Sequence, residues 1–523
     1  MNGPRKLLVI AAFTFLIAGF SSATDIYIAQ NAAGGNTGAD CADAHAVTWF
    51  NTSSNWGSGS SQIGPGTTVH LCGTFTAPAG SSGYLSFRGS GTSGSPITLL
   101  FESGAVLTAP YWGSGAAINT NGHSYVTIDG GSNGTIQASA NGTGLANQQD
   151  GEAVQAEGGS NVTIQNLTIA NIYVHTNSLS DEAGQGSYGI DIWNGSNLSV
   201  INNTIHDVKW AVRISYAVGS TFSNMTFQGN TIYNIDHGLF ITDSSAGGAA
   251  IMSGFYVYGT TVHDFANWDD NADNNHHDGF HLNTNSTTTQ FTDFYLYNNY
   301  VYGDPGIRGN AGFYSYPAST SAESNIYAFN NVFVNNSAGH CWANGPVGLA
   351  GVGSSMVLNN TFVSNASSCK DNGLIYELGG TGVTSYNNIH QNLANAAVYS
   401  TSGTTISAID YNNYYQSSSW FYATWYSTLP SWESAVSGDT HSNTGNSKLT
   451  SSYHLTDNTS AAWQSAKNLN SICNGQPNPG LGALCSDKAG VARQQSGSWD
   501  MGAYEDSANN APVPPTGLVA TVQ

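Results

Sequence analysis

The sequence predicts an all-β chain wound into one long parallel β-helix, a single-stranded solenoid, and three observations carry that expectation. A short motif recurs along the chain, a second strand pattern alternates with it, and both patterns alternate apolar and polar residues strictly, as half-buried strands do.

The motif reads VTIQNLTI at 162, SVINNTIHDV at 199, TFQGNTIYNI at 226, YVYGTTVHDF at 256, YLYNNYVYG at 295, YAFNNVFVNN at 327, VLNNTFVSN at 357 and SYNNIHQN at 385. With the first Asn or Gly of its central pair as origin, positions 166, 202, 229, 259, 298, 330, 359, 387 and 412 are separated by 36, 27, 30, 39, 32, 29, 28 and 25 residues. The shortest spacing approximates a bare turn of the solenoid, and the excess is loop.

The second pattern is GIDIW at 189, AVRIS at 211, GLFIT at 238, GFHLN at 279, GFYSY at 312 and GLIYE at 373, so each coil holds at least two strands. Ile190 and Ile192 flank Asp191, and Phe280 and Leu282 flank His281, which sends the apolar residues inward. No single coil of this kind can bury its own apolar face, so the coils must stack. The sequons at Asn166, Asn202 and Asn359 fall inside the repeat and are expected to serve an Asn stack at the bend rather than to carry glycans.

The ends and the composition bound the function. Arg5 and Lys6 precede a mostly apolar run from Leu7 to Phe20, followed by Ser21-Ser22-Ala23, the pattern of a signal peptide cleaved near Ala23. The expected product is secreted or surface-located and has no membrane span. Formal charge is 11 − 32 = −21, and loss of Arg5 and Lys6 leaves nine basic residues, which excludes nucleic acid as a natural partner. Although 8% of residues are charged, 40% are apolar, and their regular spacing implies a packed core rather than disorder. The six cysteines form an even set in an exported chain and pair as neighbours, Cys41–Cys72, Cys341–Cys369 and Cys473–Cys485; separations of 31, 28 and 12 without a Cys-x-x-Cys disfavour a metal site.

This pattern resembles the pectate-lyase-like right-handed β-helix superfamily over about residues 67–418. The opening GPGTTVHLCGTF at 64 and SGSPITLLFESGAVL at 93 look like first coils, and the stretch ending in Asp500-Met-Gly-Ala-Tyr-Glu505 resembles the C-terminal segment of exported bacterial β-helix proteins. The implied organisation is a signal peptide (1–23), an N-terminal cap region (24–66), the β-helix (67–418), a C-terminal segment packing on or capping it (419–505) and a Pro-rich tail (506–523). Of the polygalacturonase-like motifs in this superfamily, Asn-x-Asp, Asp-Asp, Gly-His-Gly and Arg-x-Lys, the chain offers only Asp269-Asp270, and His276-His277-Asp278-Gly279 echoes the Asp-Pro-His-Asp of alginate epimerases.

Chemistry concentrates where the second strands align. Their central outward positions form a column, Asp191, Arg213, Phe240, His281 and Tyr314; before them come Lys209, Asp236, His277 and Asn310, then Trp210, His237, Asp278 and Ala311. Lys209, Arg213 and Arg308, three of the scarce basic residues, fall in or beside this patch. The longest insertion, ANWDDNADNNHHDGFH from 266, also lands there.

The first expectation is a lyase acting on a uronic-acid-containing polysaccharide. Lys209, Arg213, Asp236, His277, Asp278 and His281 would do the chemistry, and Asp191, Trp193, Phe240, Arg308 and Tyr314 would bind substrate. Asp269, Asp270 and Asp273 would gather Ca²⁺, with no organic cofactor. The alternatives are a glycoside hydrolase using two of Asp191, Asp236, Asp270 and Asp278, and a non-enzymatic surface protein or adhesin whose Trp193, Phe240 and Tyr314 stack on sugar faces. His206-Asp207 and His263-Asp264 recur in register and are expected to be bend hydrogen bonds; His276 and His277 do not share that register. The sequence does not fix an oligomeric state.

Overall fold

The computed structural model describes residues 24–506 except 174–185, 218, 244–249, 267–275, 321 and 367. The signal-peptide expectation, the tail beyond Asp506 and the proposed calcium ligands Asp269, Asp270 and Asp273 lie outside the described residues.

Nearly every strand pairs in parallel with a strand one coil away, in a 14-stranded and a 22-stranded sheet. The larger sheet divides into two ladders, joined where the 13-residue strands Thr204–Tyr216 and Thr231–Asp243 bend and serve both. Each full coil therefore carries three strand segments, one more than the minimum legible in the sequence. The alternating residues point as their period requires: Ile190, Ile192, Val212, Ile214, Leu239, Ile241, Phe280, Leu282 and Phe313 are buried in one continuous core.

The recurring Asn pair forms the bend between the 14-stranded sheet and the next ladder, and its two members do different work. The first adopts left-handed backbone, as at Asn166 (φ 58°), Asn202 (φ 55°), Asn330 (φ 54°) and Asn387 (φ 63°), a region that Asn and Gly enter at least cost. The second builds the buried stack: Asn299, Asn331, Asn360 and Asn388 each donate from Nδ2 to the Oδ1 of the next coil's Asn at 3.0–3.1 Å. The continuous stack is thus made by the residue after the repeat origin; of the origin residues, buried Asn359 accepts from Asn387 one coil on at 3.1 Å, Asn166 donates to Asp129 one coil back at 2.9 Å, and Asn202 is exposed. In the last coil Asn412 occupies the stacking slot and Tyr411 the left-handed one, which shifts that repeat by one residue.

The helix is closed at both ends. The strand Asp25–Ala29 pairs in register with Thr68–Cys72, so the sheet begins inside the cap region, where Phe50 and Trp56 pack on Phe87. At the other end the antiparallel pair Trp420–Tyr422 and Thr424–Tyr426 and the helix Leu429–Val436, with Trp432 buried, cover the last coil.

The chain then runs back along the bend column. Arg493 donates to Asn330 Oδ1 (2.9 Å), Asn359 donates to the Asp500 carbonyl (3.0 Å) and Asn387 to the Lys467 carbonyl (2.9 Å). The Asp-x-Gly-Ala-Tyr-Glu ending is part of this clamp: Glu505 pairs with the fully buried Arg493 at 2.7 Å. Gly502 (φ 88°) lies so close to Thr361 and Ile389 that a Cβ would come within 2.7 Å of each. Disulfides join Cys41–Cys72, Cys341–Cys369 and Cys473–Cys485. Among the described residues no helix is long and apolar enough to cross a membrane.

Candidate functional site

Parallel register places the outward residues of successive coils above one another, and the expected central column is the observed one: Asp191 pairs with Arg213, Arg213 with Phe240, Phe240 with His281, and His281 with Tyr314. A second column, Tyr188, Trp210, His237, Asp278 and Ala311, lies on one side, and a third, Trp193, Ser215, Thr242, Asn283 and Tyr316, on the other. His277 pairs with Gly309 rather than Asn310, because a β-bulge between His277 and Asp278 shifts the register. The turn into these strands is tight. A Cβ on Gly238 would lie 2.3 Å from the Gly279 carbonyl oxygen, and one on Gly279 2.4 Å from that of Gly312.

At this turn three imidazoles converge on one carboxylate. Asp278 Oδ2 lies 3.1 Å from His276 Nε2, 3.2 Å from His281 Nδ1 and 3.4 Å from His237 Nε2. His281 Nδ1 is in turn 3.3 Å from His237 Nε2 and 3.4 Å from His276 Nε2. Asp278 is held in place through its other oxygen, Oδ1, which accepts from Asn310 Nδ2 (2.8 Å) and the Ala311 N–H (2.9 Å). His237 Nδ1 faces Asp236 Oδ2 at 3.2 Å, and that oxygen accepts from Trp210 Nε1 at 3.0 Å. All of these except His276 and Trp210 are buried; the His276 side chain is 51% exposed and opens the cluster to solvent.

Burial alone would raise the Asp278 carboxyl, but His281, His237 and His276 hold it well below the usual carboxylate range. Burial would likewise lower His237, yet Asp236 and Asp278 outweigh it and raise the imidazole to about 9. For His281 burial prevails over Asp278, and its value is lowered.

The neighbouring column is locked differently. Arg213 donates Nε (2.8 Å) and one terminal nitrogen (2.7 Å) to the two oxygens of Asp191, and its other terminal nitrogen (2.6 Å) to the Tyr188 hydroxyl. The fork expected to grip a substrate carboxylate therefore already holds Asp191. Burial and the adjacent Asp191 push Glu152 up to about 8.

The surface above these columns is a groove. A hollow of about 450 Å³ is lined by His276, His281, Asn310, Tyr314, Tyr316 and others, and a second of about 350 Å³ by Trp193, Trp210, Arg213 and Phe240; Asn283 and Asn285 line both. No residue of the C-terminal segment lines either. A hollow of about 470 Å³ at the N-terminal cap, lined by Gly57, Ser58, Gln62 and Pro65, brings together no titratable side chains.

Of the residues singled out in the sequence, the groove presents His281, Tyr314, Trp193, Phe240 and Arg213. Lys209, Asp236 and His277 are buried beneath it. Lys209 has Asp236 and Asp150 as electrostatic neighbours, and His277 Nδ1 donates to the Pro305 carbonyl at 3.2 Å. Arg308 is exposed just before the strand Gly309–Tyr316, and Asp191 is buried in its pair with Arg213. The sequence reading missed Tyr188, Asn283, Asn285, Tyr316 and Glu152. Asn283 and Tyr316 were findable, since each lies two residues beyond a named column member and so faces the same way.

His206 and His263 do what their register implies. Each closes on the following aspartate, at 2.5 and 2.7 Å, and both stack on Tyr233 at centroid separations of 4.6 and 5.1 Å.

Residues 113–261 match the family model described as a right handed beta helix region. The chain folds as a right-handed parallel β-helix. The fold implied by the sequence resemblance is thus the fold observed. No curated protein sequence matches this β-helix. Solved structures similar to it include pectate lyase Pel9A, 15% identical, covering 93% of this chain and 97% of that one with a TM-score of 0.44. The periplasmic alginate epimerase AlgG is 12% identical, with 72% and 75% covered and a TM-score of 0.35. The GH136 lacto-N-biosidase from Eubacterium ramulus is 13% identical, with 75% and 64% covered and a TM-score of 0.40. Such likeness concerns fold alone, and fold does not confer function; the chemistry of this β-helix has to be read from its own residues.

Proposed function

We propose that this protein is a polysaccharide-active enzyme, a lyase that cleaves a uronic-acid-containing glycan in the groove over Arg213, Phe240, His281 and Tyr314. The observation that carries the reading is which groups reach the groove. Its floor presents the imidazole cluster and a protonated phenol, whereas among the described residues the carboxylates a hydrolase would need are withheld. Asp191 is paired with Arg213, Asp236 accepts from Trp210, Asp278 is fully buried, and Asp243, which lines the second hollow, is buried and accepts from the Ser286 N–H.

β-Elimination needs three things: a positive pole to neutralise the uronate carboxylate and so acidify the adjacent C–H, a base, and an acid for the departing oxygen. Arg308, exposed just before the strand that carries Tyr314, is the cation assigned as the pole, and His281, kept neutral by burial, takes the C–H proton as the base. Tyr314 lies on the next coil, its ring 5.5 Å from that of His281, and burial together with Glu377 and Asp278 raises its hydroxyl well above the ordinary phenol. It remains protonated, as a donor to the leaving oxygen must. Trp193, Phe240 and Tyr316 offer ring faces on which neighbouring sugar units can stack.

The test is a panel of polyuronates and neutral glycans, reading ultraviolet absorbance of unsaturated ends and reducing sugar separately. The lyase reading expects both signals to rise together on a polyuronate, and Tyr314→Phe to lower turnover by about 100-fold or more. Reducing sugar without absorbance would replace it with hydrolysis. Retention on a glycan with neither signal would replace it with the adhesin reading.

A further inference from the structure

We propose that His237 Nε2, His276 Nε2, His281 Nδ1 and Asp278 Oδ2 form a four-coordinate site for a divalent transition-metal ion of the zinc type. The inference rests on the arrangement of these four atoms and not on the lyase reading.

Their spacing is that of ligands around a common centre. Five of the six separations are 3.1, 3.2, 3.3, 3.4 and 3.4 Å, and all four atoms lie within 4.8 Å of one another. A zinc ion binds imidazole nitrogen and carboxylate oxygen at about 2.0–2.1 Å, and a tetrahedron with that radius has edges of roughly 3.3–3.4 Å.

A hydrogen-bonded network accounts for the same atoms less well. His281 Nδ1 lies within 3.4 Å of three acceptors or donors at once, and a single N–H can serve only one of them. Asp278 Oδ2 is fully buried, surrounded by imidazole nitrogens, and makes no hydrogen bond. A buried carboxylate oxygen left in this way costs free energy unless something else satisfies it, and a cation at the centre would.

The surroundings fit a metal site as well. His237 turns its second nitrogen toward Asp236, and Asp278 is fixed by Asn310 and Ala311 through the oxygen that does not face the cluster, so the groups behind the ligands orient them. Three ligands come from adjacent strands and are placed by backbone register; the fourth, His276, immediately precedes its strand and is half-exposed, which gives an ion a way in. Three nitrogens and one oxygen select zinc, cobalt or nickel over Ca²⁺, which takes six to eight oxygen ligands.

The experiment uses full-length chain without a histidine tag, stripped with chelator and then titrated with Zn²⁺ by calorimetry and with Co²⁺ by visible spectroscopy. The expected result is one ion per chain, the intense absorption of four-coordinate cobalt, no displacement by Ca²⁺ and a higher melting temperature with Zn²⁺. His276→Ala removes an exposed side chain that the fold does not need and should weaken binding by at least ~10-fold, as should Asp278→Asn, while His206→Ala leaves it unchanged. A folded protein that binds neither Zn²⁺ nor Co²⁺, a six-coordinate cobalt spectrum, or binding unaffected by His276→Ala would each overturn the proposal. None of these readouts involves substrate, so a metal site without lyase activity, or the reverse, would be seen as such.

Discussion

Two sets of buried polar side chains run along this β-helix, and they behave in opposite ways. In the bend ladder from Asn299 to Asn388 each Asn donates to the next and to a backbone carbonyl; Asn331, for instance, reaches the Leu296 carbonyl at 2.8 Å and Asn360 Oδ1 at 3.0 Å. In the His–Asp cluster one oxygen has three nitrogens around it and no hydrogen bond. The ladder repeats one residue type down the helix and is satisfied within itself. The cluster breaks the repeat, joins unlike residues from two coils, and leaves a demand that the fold does not meet. Polar burial that closes on itself holds a structure together; polar burial that stays open is where an outside group belongs.

The largest effect separating the two should come from Asn331→Ala. It would orphan the Asn299 backbone N–H and side-chain amide, which both donate to Asn331 Oδ1 at 3.0 Å, as well as the Leu296 carbonyl. We expect a loss of about 4 kcal/mol in denaturant unfolding with Zn²⁺ binding unchanged in the folded fraction.

A comparable but differently caused loss should follow Cys341→Ser with Cys369→Ser. That bond closes a 28-residue span, about one coil, and its removal should cost about 3 kcal/mol.

The pH dependence sharpens the same contrast between two buried carboxyls. Asp278 is held low by imidazoles, whereas burial raises Glu323 from 4.5 to about 7, with Ser315 and Thr284 as its hydrogen-bonding neighbours. Because the folded value exceeds the unfolded one, the protonated Glu323 favours the fold fully below pH 4.5, and this is lost as pH rises through about 7. Unfolding measured from acid to neutral pH should show a decline of up to about 3 kcal/mol from this group, absent in Glu323→Gln. The smallest effect belongs to His206→Ala. Its ring only stacks on Tyr233 and bonds Asp207 at the surface, so a cost of about 0.5–1 kcal/mol and unchanged turnover are expected.

The architecture and the outward column were legible in the sequence because parallel register makes alignment of motifs equivalent to stacking in space. Asp191, Arg213, Phe240, His281 and Tyr314 could be superposed by eye for that reason. What the sequence did not carry is the state of those side chains. The Arg213 fork is occupied by Asp191 one coil away, which depends on rotamers and not on register. The convergence of His237 with His276 and His281 also escaped it. It arises from the tight turn at Gly238 and Gly279 and from a bulge after His277, both invisible to a period-two pattern. The calcium expectation at Asp269, Asp270 and Asp273 rests on composition and lies outside the described residues; the cation site proposed above uses imidazoles a few residues later.

The most direct test of this division is the unfolding free energy of His276→Ala in the presence of chelator. Ala removes a half-exposed ring and leaves the Asp278 carboxylate with its buried neighbours His237 and His281. The account predicts stability within about 1 kcal/mol of the parent, alongside Zn²⁺ binding weakened by at least ~10-fold. A loss as large as that of Asn331→Ala would mean that the cluster serves the fold in the same way as the ladder, and would contradict it.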